Sequence, residues 1–208
     1  MIKRGKKSMY EACVGNYNEA ISAFKRGANR IELCDNLMED GTTPSVGTIK
    51  KTIKDVNIPV MVIIRPRGGN FEFSEDEVEI MLEDIEVCKE NGAYGVVIGA
   101  LNGKEINMDV TKKLVERAKP LSITFHMAFD EIEDKFKAID QLVELGVDRI
   151  LTKGGCENAL AGRESLKKLV EYANDRIIIM PGKGVNKENR DYILEYTGAK
   201  EIHGTKVV

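Results

Sequence analysis

The stretch Tyr10-Glu11-Ala12-Cys13-Val14 is a short apolar run that carries the pattern Glu-x-Cys, and Ile31-Glu32-Leu33-Cys34-Asp35 repeats that pattern. Because side chains two apart in a strand point to the same face, each run would present one carboxylate and one thiol together. Parallel neighbouring strands lie about 4.8 Å apart, so two thiols and two carboxylates would converge on one region. Buried carboxylates are costly unless they are paired, and the pattern therefore indicates a functional site in a buried sheet.

The same strand–loop–helix unit recurs along the rest of the chain. Near-continuous apolar runs such as Val60–Ile64 and Ile177–Met180 are typical of parallel strands buried on both faces. The predicted strands are Met9–Cys13, Arg30–Cys34, Val60–Arg65, Gly95–Ala100, Ser122–His126, Arg149–Thr152, Ile177–Met180 and Glu201–Gly204. The predicted helices are Asn18–Arg26, Val46–Val56, Glu75–Asn91, Asp109–Ala118, Lys135–Leu145, Arg163–Ala173 and Lys187–Tyr196.

This alternation predicts an α/β fold, a TIM-like (β/α)₈ barrel with eight parallel strands and the last helix missing. An open doubly wound sheet is the alternative fold. No Gly-x-Gly-x-x-Gly lies between the first strand and the first helix, and polar residues end nearly every strand, which favours the barrel. We expect one domain over residues 1–208, with residues 1–8 as a disordered basic tail and no nucleotide cofactor.

Charge and cysteine content indicate which cellular compartment and which classes of partner the sequence favours. The net charge of -3 gives no sign of a nucleic-acid partner, and the apolar runs are too short to span a membrane. Four cysteines follow a basic start that lacks the apolar region of a signal peptide. This pattern favours reduced thiols in the cytoplasm.

Active sites of such barrels lie at the carboxyl ends of the strands, where this chain places acids, a base and an arginine. The catalytic candidates are Glu11, Glu32, Arg65, His126 and Asp130. Arg65 either neutralises the two glutamates in a structural cluster or binds an anionic substrate while they do acid–base work. Asp130 either orients the imidazole of His126 or simply begins the following loop.

Glycine-rich loops follow the last three predicted strands, where barrels often hold phosphate with backbone N–H groups. The candidate anion-binding residues are Lys153, Gly154, Gly155, Gly182, Gly184 and Thr205. Ordinary turn glycines are the alternative interpretation.

The four cysteines divide into two groups. Cys88 is predicted in a helix core and Cys156 in a loop. Cys13 and Cys34 are either small buried hydrophobes or a soft thiolate pair suited to Cu(I). A zinc site would want four ligands, and two more are not evident in the sequence.

Several segments together resemble the CutC copper homeostasis family. They are Arg30–Asp35, Gly41–Ser45, Ile64–Phe71, Ile123–His126, Ala128–Asp130, Arg149–Thr152 with Gly154 and Gly155, and Glu201–Gly204. The match runs in order from about residue 9 to the end of the chain. The resemblance implies a TIM-like barrel in the cytoplasm that is associated with Cu(I), with Cys13 and Cys34 matching the family's proposed copper-binding cysteines.

Two functional hypotheses follow. The first is a cytoplasmic CutC-family protein that binds or traffics Cu(I) through the cysteine pair at the barrel mouth. The alternative is a lyase or isomerase that acts on a small anionic or phosphorylated metabolite by Glu and His acid–base chemistry, with an Arg anion clamp. Because no helix follows the last predicted strand, we also expect an apolar seam beside the first and last strands that would be exposed in an isolated barrel. We therefore expect a homodimer that buries this seam, unless the N-terminal extension covers it.

Overall fold

The computed structural model describes residues 8–208, and its parallel strands form a nearly closed barrel. The strands are β1 (Met9–Val14), β2 (Arg30–Leu33), β3 (Val60–Ile63), β4 (Gly95–Ile98), β5 (Leu101–Asn102), β6 (Glu105–Ile106), β7 (Ser122–Phe125), β8 (Arg149–Thr152), β9 (Ile178–Pro181) and β10 (Glu201–Gly204). Eight of them pair in the order β10-β1-β2-β3-β4-β7-β8-β9, and β9 contacts β10 where the sheet closes. The predicted barrel is confirmed.

The helices lie between the strands and pack on the outside of the sheet. They are α1 (Tyr17–Lys25), α2 (Val46–Asp55), α3 (Glu75–Glu90), α4 (Met108–Ala118), α5 (Lys135–Leu145), α6 (Arg163–Ala173) and α7 (Arg190–Thr197). Short 3-10 turns span Leu37–Glu39 and Met127–Glu131. Ser74 and Glu77 form the capping box that starts α3, in which each side chain accepts a hydrogen bond from the backbone N–H group of the other residue.

Two local differences from the predicted elements have physical reasons. The last helix begins at Arg190, because the Asn186 side chain accepts hydrogen bonds from the N–H groups of Glu188 and Asn189 and holds a turn there. The hairpin of β5 and β6 was not predicted, since each strand has two residues and shows no periodicity.

The two faces of the sheet are filled differently. Outward-facing residues such as Ala12, Ile31 and Val62 are buried against the helices in the main apolar cluster. Inward-facing residues low in the barrel are charged instead, and they form a chain of ion pairs from Glu11 to Arg30, from Arg30 to Glu201 and from Glu201 to Arg149. The floor of the barrel is therefore an ionic network.

The seam between β10 and β1 is covered within the chain itself. Ile202 and Ala12, which face outward there, are buried, and so are the last two residues, Val207 and Val208. Arg26 donates a hydrogen bond of 3.1 Å to the Val208 carbonyl and helps to fix this end. The expected exposed apolar seam is wrong, because the C-terminal segment packs into the core cluster. The homodimer stays a prediction without that support.

The predicted basic tail falls mostly on residues 1–7, which lie outside the described residues. Across the part that is described, no helix has the length and apolar character needed to cross a membrane.

Candidate functional site

A cavity of about 440 Å³ lies at the carboxyl ends of the barrel strands. Its wall includes Cys13, Glu32, Arg65, His126 and His203, so side chains from β1, β2 and β10 meet residues that follow β3 and β7. This volume is within the usual range of small-ligand sites. The sequence prediction of a shared site at the strand ends therefore has a physical space to occupy.

The two predicted copper ligands meet at the edge of this cavity. The Sγ atoms of Cys13 and Cys34 are 3.9 Å apart, and both thiols are free. Cys13 lies opposite Glu32 in the β1–β2 register and lines the cavity. Cys34 lies beyond the end of β2 and is buried against Met61, Ile63 and Val97.

The two thiols differ in acidity. A hydrogen bond from Cys34 lowers the pKa of Cys13, and His203 adds to that effect, although burial and the charge of Glu32 oppose it. The same hydrogen bond raises the pKa of Cys34, and burial raises it further. Cys13 is therefore the more acidic of the two thiols.

His203 and Glu32 form a buried ion pair beside the thiols. The His203 Nε2 atom lies 2.6 Å from Glu32 Oε2 and 4.0 Å from Glu11 Oε1. Burial would lower the pKa of His203, but the carboxylate of Glu32 outweighs it and holds that pKa well above its usual value. The imidazolium in turn keeps the pKa of Glu32 low, against the effect of burial.

Cys13, Glu32 and His203 also form a potential metal-ligand group. One ligand atom from each lies within 4.8 Å of the others. Sequence reasoning placed His203 at a strand end but gave it no role, because only the fold brings β10 next to β1. Glu32 and His203 thus lie near Cys13 as potential ligands, although Cys34 is not part of that group and the two residues are paired with each other.

Arg65 is held by backbone carbonyls. Its Nη1 donates to the carbonyls of Glu39 and Gly41 at 2.5 and 2.9 Å, and its Nη2 donates to Gly69 at 2.7 Å. Its Nε has no partner within residues 8–208. The structural interpretation, in which Arg65 neutralises Glu11 and Glu32, is wrong, because those carboxylates pair with Arg30 and His203.

His126 begins the 3-10 turn Met127–Glu131. Its Nδ1 accepts a hydrogen bond of 3.2 Å from the Ala128 N–H group, while its Nε2 has no partner in the described chain. Burial and the nearby charge of Arg65 lower the pKa of His126 to about 3, so the ring is neutral. Phe71 contacts both side chains, with its ring centroid 4.9 Å from that of His126 and 4.8 Å from the Arg65 guanidinium carbon.

Two other predicted catalytic residues lie in different surroundings. Glu11 is fully buried below the cavity and does not line it. Asp130 lines the cavity, but its carboxylate accepts hydrogen bonds from the Thr152 hydroxyl and from the N–H groups of Lys153 and Gly155. Asp130 thus holds the loop after β8, and the imidazole of His126 is fixed by Ala128.

The predicted anion loops are only partly brought together. Lys153, Gly184 and Thr205 line the cavity, whereas Gly154, Gly155 and Gly182 do not. The N–H groups of Lys153 and Gly155 already bind Asp130, and that of Gly182 binds the Thr152 carbonyl. An anion at these loops stays a prediction, and it would have to use the remaining groups.

Comparisons with known proteins identify the relatives of this chain. The family model described as "CutC family" matches residues 8–208. The chain is 44% identical over 200 residues to the copper homeostasis protein cutC homolog of Mus musculus, covering 96% of this chain and 74% of the mouse protein.

Solved structures give the same result at the level of the fold. A crystal structure of a CutC protein from Streptococcus agalactiae superposes with a TM-score of 0.93 at 42% identity, covering 97% of this chain and all of that one. An aldolase, QR15, superposes with a TM-score of 0.72 at 15% identity over 99% of this chain and 92% of its own. This second likeness shows the barrel fold alone.

Proposed function

The chain belongs to the CutC family, and from this premise and the geometry of the cavity we propose that it binds Cu(I) through Cys13 and Cys34. The observation that carries the proposal is the 3.9 Å separation of the two Sγ atoms. A disulfide has an S–S length of about 2.05 Å, which is much shorter. Metal–thiolate bonds are about 2.3 Å for zinc, so two sulfurs that share one ion of similar size stand at most about 4.6 Å apart.

The chemistry of the pair supports a soft monovalent ion. Thiolates select Cu(I) over harder cations. Cys13 is the more acidic thiol, and burial and the hydrogen bond raise the pKa of Cys34, so metal binding would have to displace the proton of Cys34. The site faces a cavity, which gives the ion a path in and out. We place the protein in the cytoplasm, where such thiols stay reduced.

The test is a Cu(I) titration of the reduced protein against a chromogenic chelator. The wild-type chain should take up about one Cu(I), and Cys13→Ser with Cys34→Ser should abolish the uptake. Cys88→Ser is the matched control, because Cys88 is buried as Cys34 is but lies in α3, away from the cavity. Equal titration of the double variant and the wild-type protein would refute the cysteine pair as the site.

A second candidate function is an acid–base enzyme acting on a small anionic metabolite. The observation that favours it is the Glu32–His203 pair, which lines the same cavity as Arg65 and the neutral His126. Copper binding alone has no need of these polar groups. A lyase or isomerase would use a buried carboxylate and imidazole pair to move a proton.

This second function has its own test. Small 2-oxo acids and sugar phosphates are incubated with the protein in heavy water, and loss of substrate proton signals is followed by NMR. Exchange that occurs with the wild-type protein and is lost with Glu32→Gln is expected. If no compound exchanges, or if Glu32→Gln exchanges as fast as the parent, the acid–base function is refuted for these substrates.

A further inference from the structure

The upper wall of the cavity contains two hydrogen-bond donors that no group of residues 8–208 satisfies. One is the Arg65 Nε–H group, the single guanidinium nitrogen that the loop carbonyls leave over. Arg65 is only 3% exposed, and it forms no ion pair with a carboxylate of residues 8–208, although the charges of Asp40 and Glu39 act on it from farther away. Burying a cation without a carboxylate in direct contact is costly, and a ligand carboxylate would offset that cost.

The second donor follows from the tautomer of His126. Because Nδ1 accepts the hydrogen bond of the Ala128 N–H group, the proton of the neutral ring must lie on Nε2. That Nε2–H group is buried and has no partner in the described residues. Losing a partner for a buried donor costs free energy, so the group is either strained or reserved for a ligand.

We propose that Arg65 and His126 form a binding subsite for the carboxylate group of a small organic acid. One donor would serve each carboxylate oxygen, and the Phe71 ring, which contacts both side chains, would form the wall beside them. The apolar side chains of Leu37, Ile63 and Leu151 line the remainder of the cavity and suit a hydrocarbon body.

Charge distinguishes a carboxylate from a phosphate here. The other charges of the cavity are largely paired: Glu32 with His203, Asp40 with Lys183 at 2.8 Å, and Asp130 with loop N–H groups. Arg65 and Lys153 remain, and Glu131, an acid in the same wall, offsets one of these two positive charges. The remaining single positive charge matches a monoanion, whereas phosphate carries more charge and is commonly held by converging backbone N–H groups.

The inference deepens the second candidate function by naming the anionic end of its substrate, and it is independent of copper. Neither Arg65 nor His126 is a proposed copper ligand. A protein that fails to bind Cu(I) can still hold a carboxylate at this subsite. The double variant Cys13→Ser with Cys34→Ser should therefore bind the acid as the wild-type protein does.

The test uses benzoate as the probe and benzamide as its neutral counterpart of nearly equal shape. Binding is measured by calorimetry and by the ¹⁵N signals of the histidine rings. The wild-type protein should bind benzoate at least about tenfold more tightly than benzamide, since a hydrogen bond to a charged group is the stronger kind. Benzoate should also shift the Nε2 signal of His126, a readout that needs no variant.

Two substitutions of His126 test the role of its Nε2–H group as a donor. His126→Asn keeps an acceptor for the Ala128 N–H group but removes the Nε2–H donor, and it should weaken benzoate binding about tenfold or more. His126→Gln restores an N–H near the Nε2 position and should recover part of the affinity. Lys183→Met removes a rim cation outside the subsite and should change affinity less than about twofold, because exposed charges are screened.

Several results would overturn the inference. They are benzoate binding no tighter than benzamide, an unshifted His126 Nε2 signal at saturation, or a His126→Asn variant that binds benzoate as the wild-type protein does. A larger loss in Lys183→Met than in His126→Asn would assign the effect to general electrostatics and would also refute the subsite.

Discussion

At the scale of single residues, Cys13 and Cys34 are chemically distinct although their sulfurs are 3.9 Å apart. The hydrogen bond that Cys13 accepts from Cys34 holds the pKa of Cys13 below its usual value, and the nearby His203 imidazolium adds to this effect. We predict that iodoacetamide modifies Cys13 first in the reduced protein, because the thiolate is the nucleophile. Mass spectrometry of timed digests, repeated across pH, measures both the order and the midpoint.

The pH midpoint for Cys13 should fall below the ordinary thiol value of about 8.5. His203→Gln should raise the Cys13 midpoint, because it removes the cation that stabilises the thiolate. A Cys13 midpoint at or above the ordinary thiol value would contradict the assigned environment.

The two histidines predict opposite responses of stability to pH. His203 has a raised pKa in the folded chain, so its contribution to the free energy of unfolding is complete below about pH 6.5, the pKa of histidine in the unfolded chain. That contribution is lost as the pH rises through the raised pKa of the folded state. His126 has its pKa lowered to about 3, so the unfolded chain binds a proton there that the folded chain does not. The contribution of His126 is therefore lost as pH falls through the region below about 6.5.

We predict that His126→Asn makes the free energy of unfolding less sensitive to acid. Between about pH 7 and pH 5, the loss of unfolding free energy should be smaller in His126→Asn than in the parent by about 2 kcal/mol. Urea unfolding at the two pH values measures the difference. Parallel losses in both proteins would show that His126 is already protonated in the folded state.

Sequence reasoning found some site residues and missed others for one physical reason. Glu32, Arg65, His126 and the cysteines were identified because they follow apolar runs, which is a local signal. The partners Arg30, Arg149 and Glu201 occupy the first positions of their strands and resemble surface residues in sequence. Only closure of the barrel turns these three side chains toward one another, and no local pattern reports closure.

At the scale of elements, the ionic floor links β1, β2, β8 and β10. Arg30 is almost fully buried and binds both Glu11 and Glu201, while Arg149 binds Glu201 at 3.2 Å. Removing one partner of a buried network leaves an uncompensated charge. We predict that Arg30→Met lowers the unfolding free energy by about 3–5 kcal/mol, with Glu11 as the stranded carboxylate.

Lys51→Met in α2 is the matched control for this prediction, because it breaks an exposed ion pair with Asp55. Its cost should be far smaller than that of Arg30→Met, because solvent screens an exposed ion pair. Urea denaturation at neutral pH compares the two variants with the parent. Equal costs for both substitutions would show that the floor contributes no more than a surface pair.

The loop after β8 shows a contact that element-level reasoning about the anion site did not foresee. Its glycines and N–H groups have the composition of a phosphate loop, as the sequence indicated. The turn Met127–Glu131 inserts the Asp130 carboxylate among these N–H groups, so the chain supplies its own anion. Spacing between loops of different strands carries no information about such a contact.

At the scale of the whole molecule, the barrel itself was predictable from sequence. Eight apolar runs alternate with capped helical segments, and parallel pairing follows from that alternation. The prediction of an exposed seam failed because Val207 and Val208 pack into the core beside β10 and α1, a tertiary contact of two residues. The homodimer remains a prediction, and light scattering of the dilute protein measures it.

The central claim is that Cu(I) lies between the sulfurs of Cys13 and Cys34 at the barrel mouth. The most direct measurement is an anomalous difference map, collected at the copper absorption edge from crystals loaded with Cu(I) under reducing conditions. We predict one strong peak between the two Sγ atoms, about 2.3 Å or slightly less from each. A map with its copper peak elsewhere, or with none in crystals of the loaded protein, would contradict the claim.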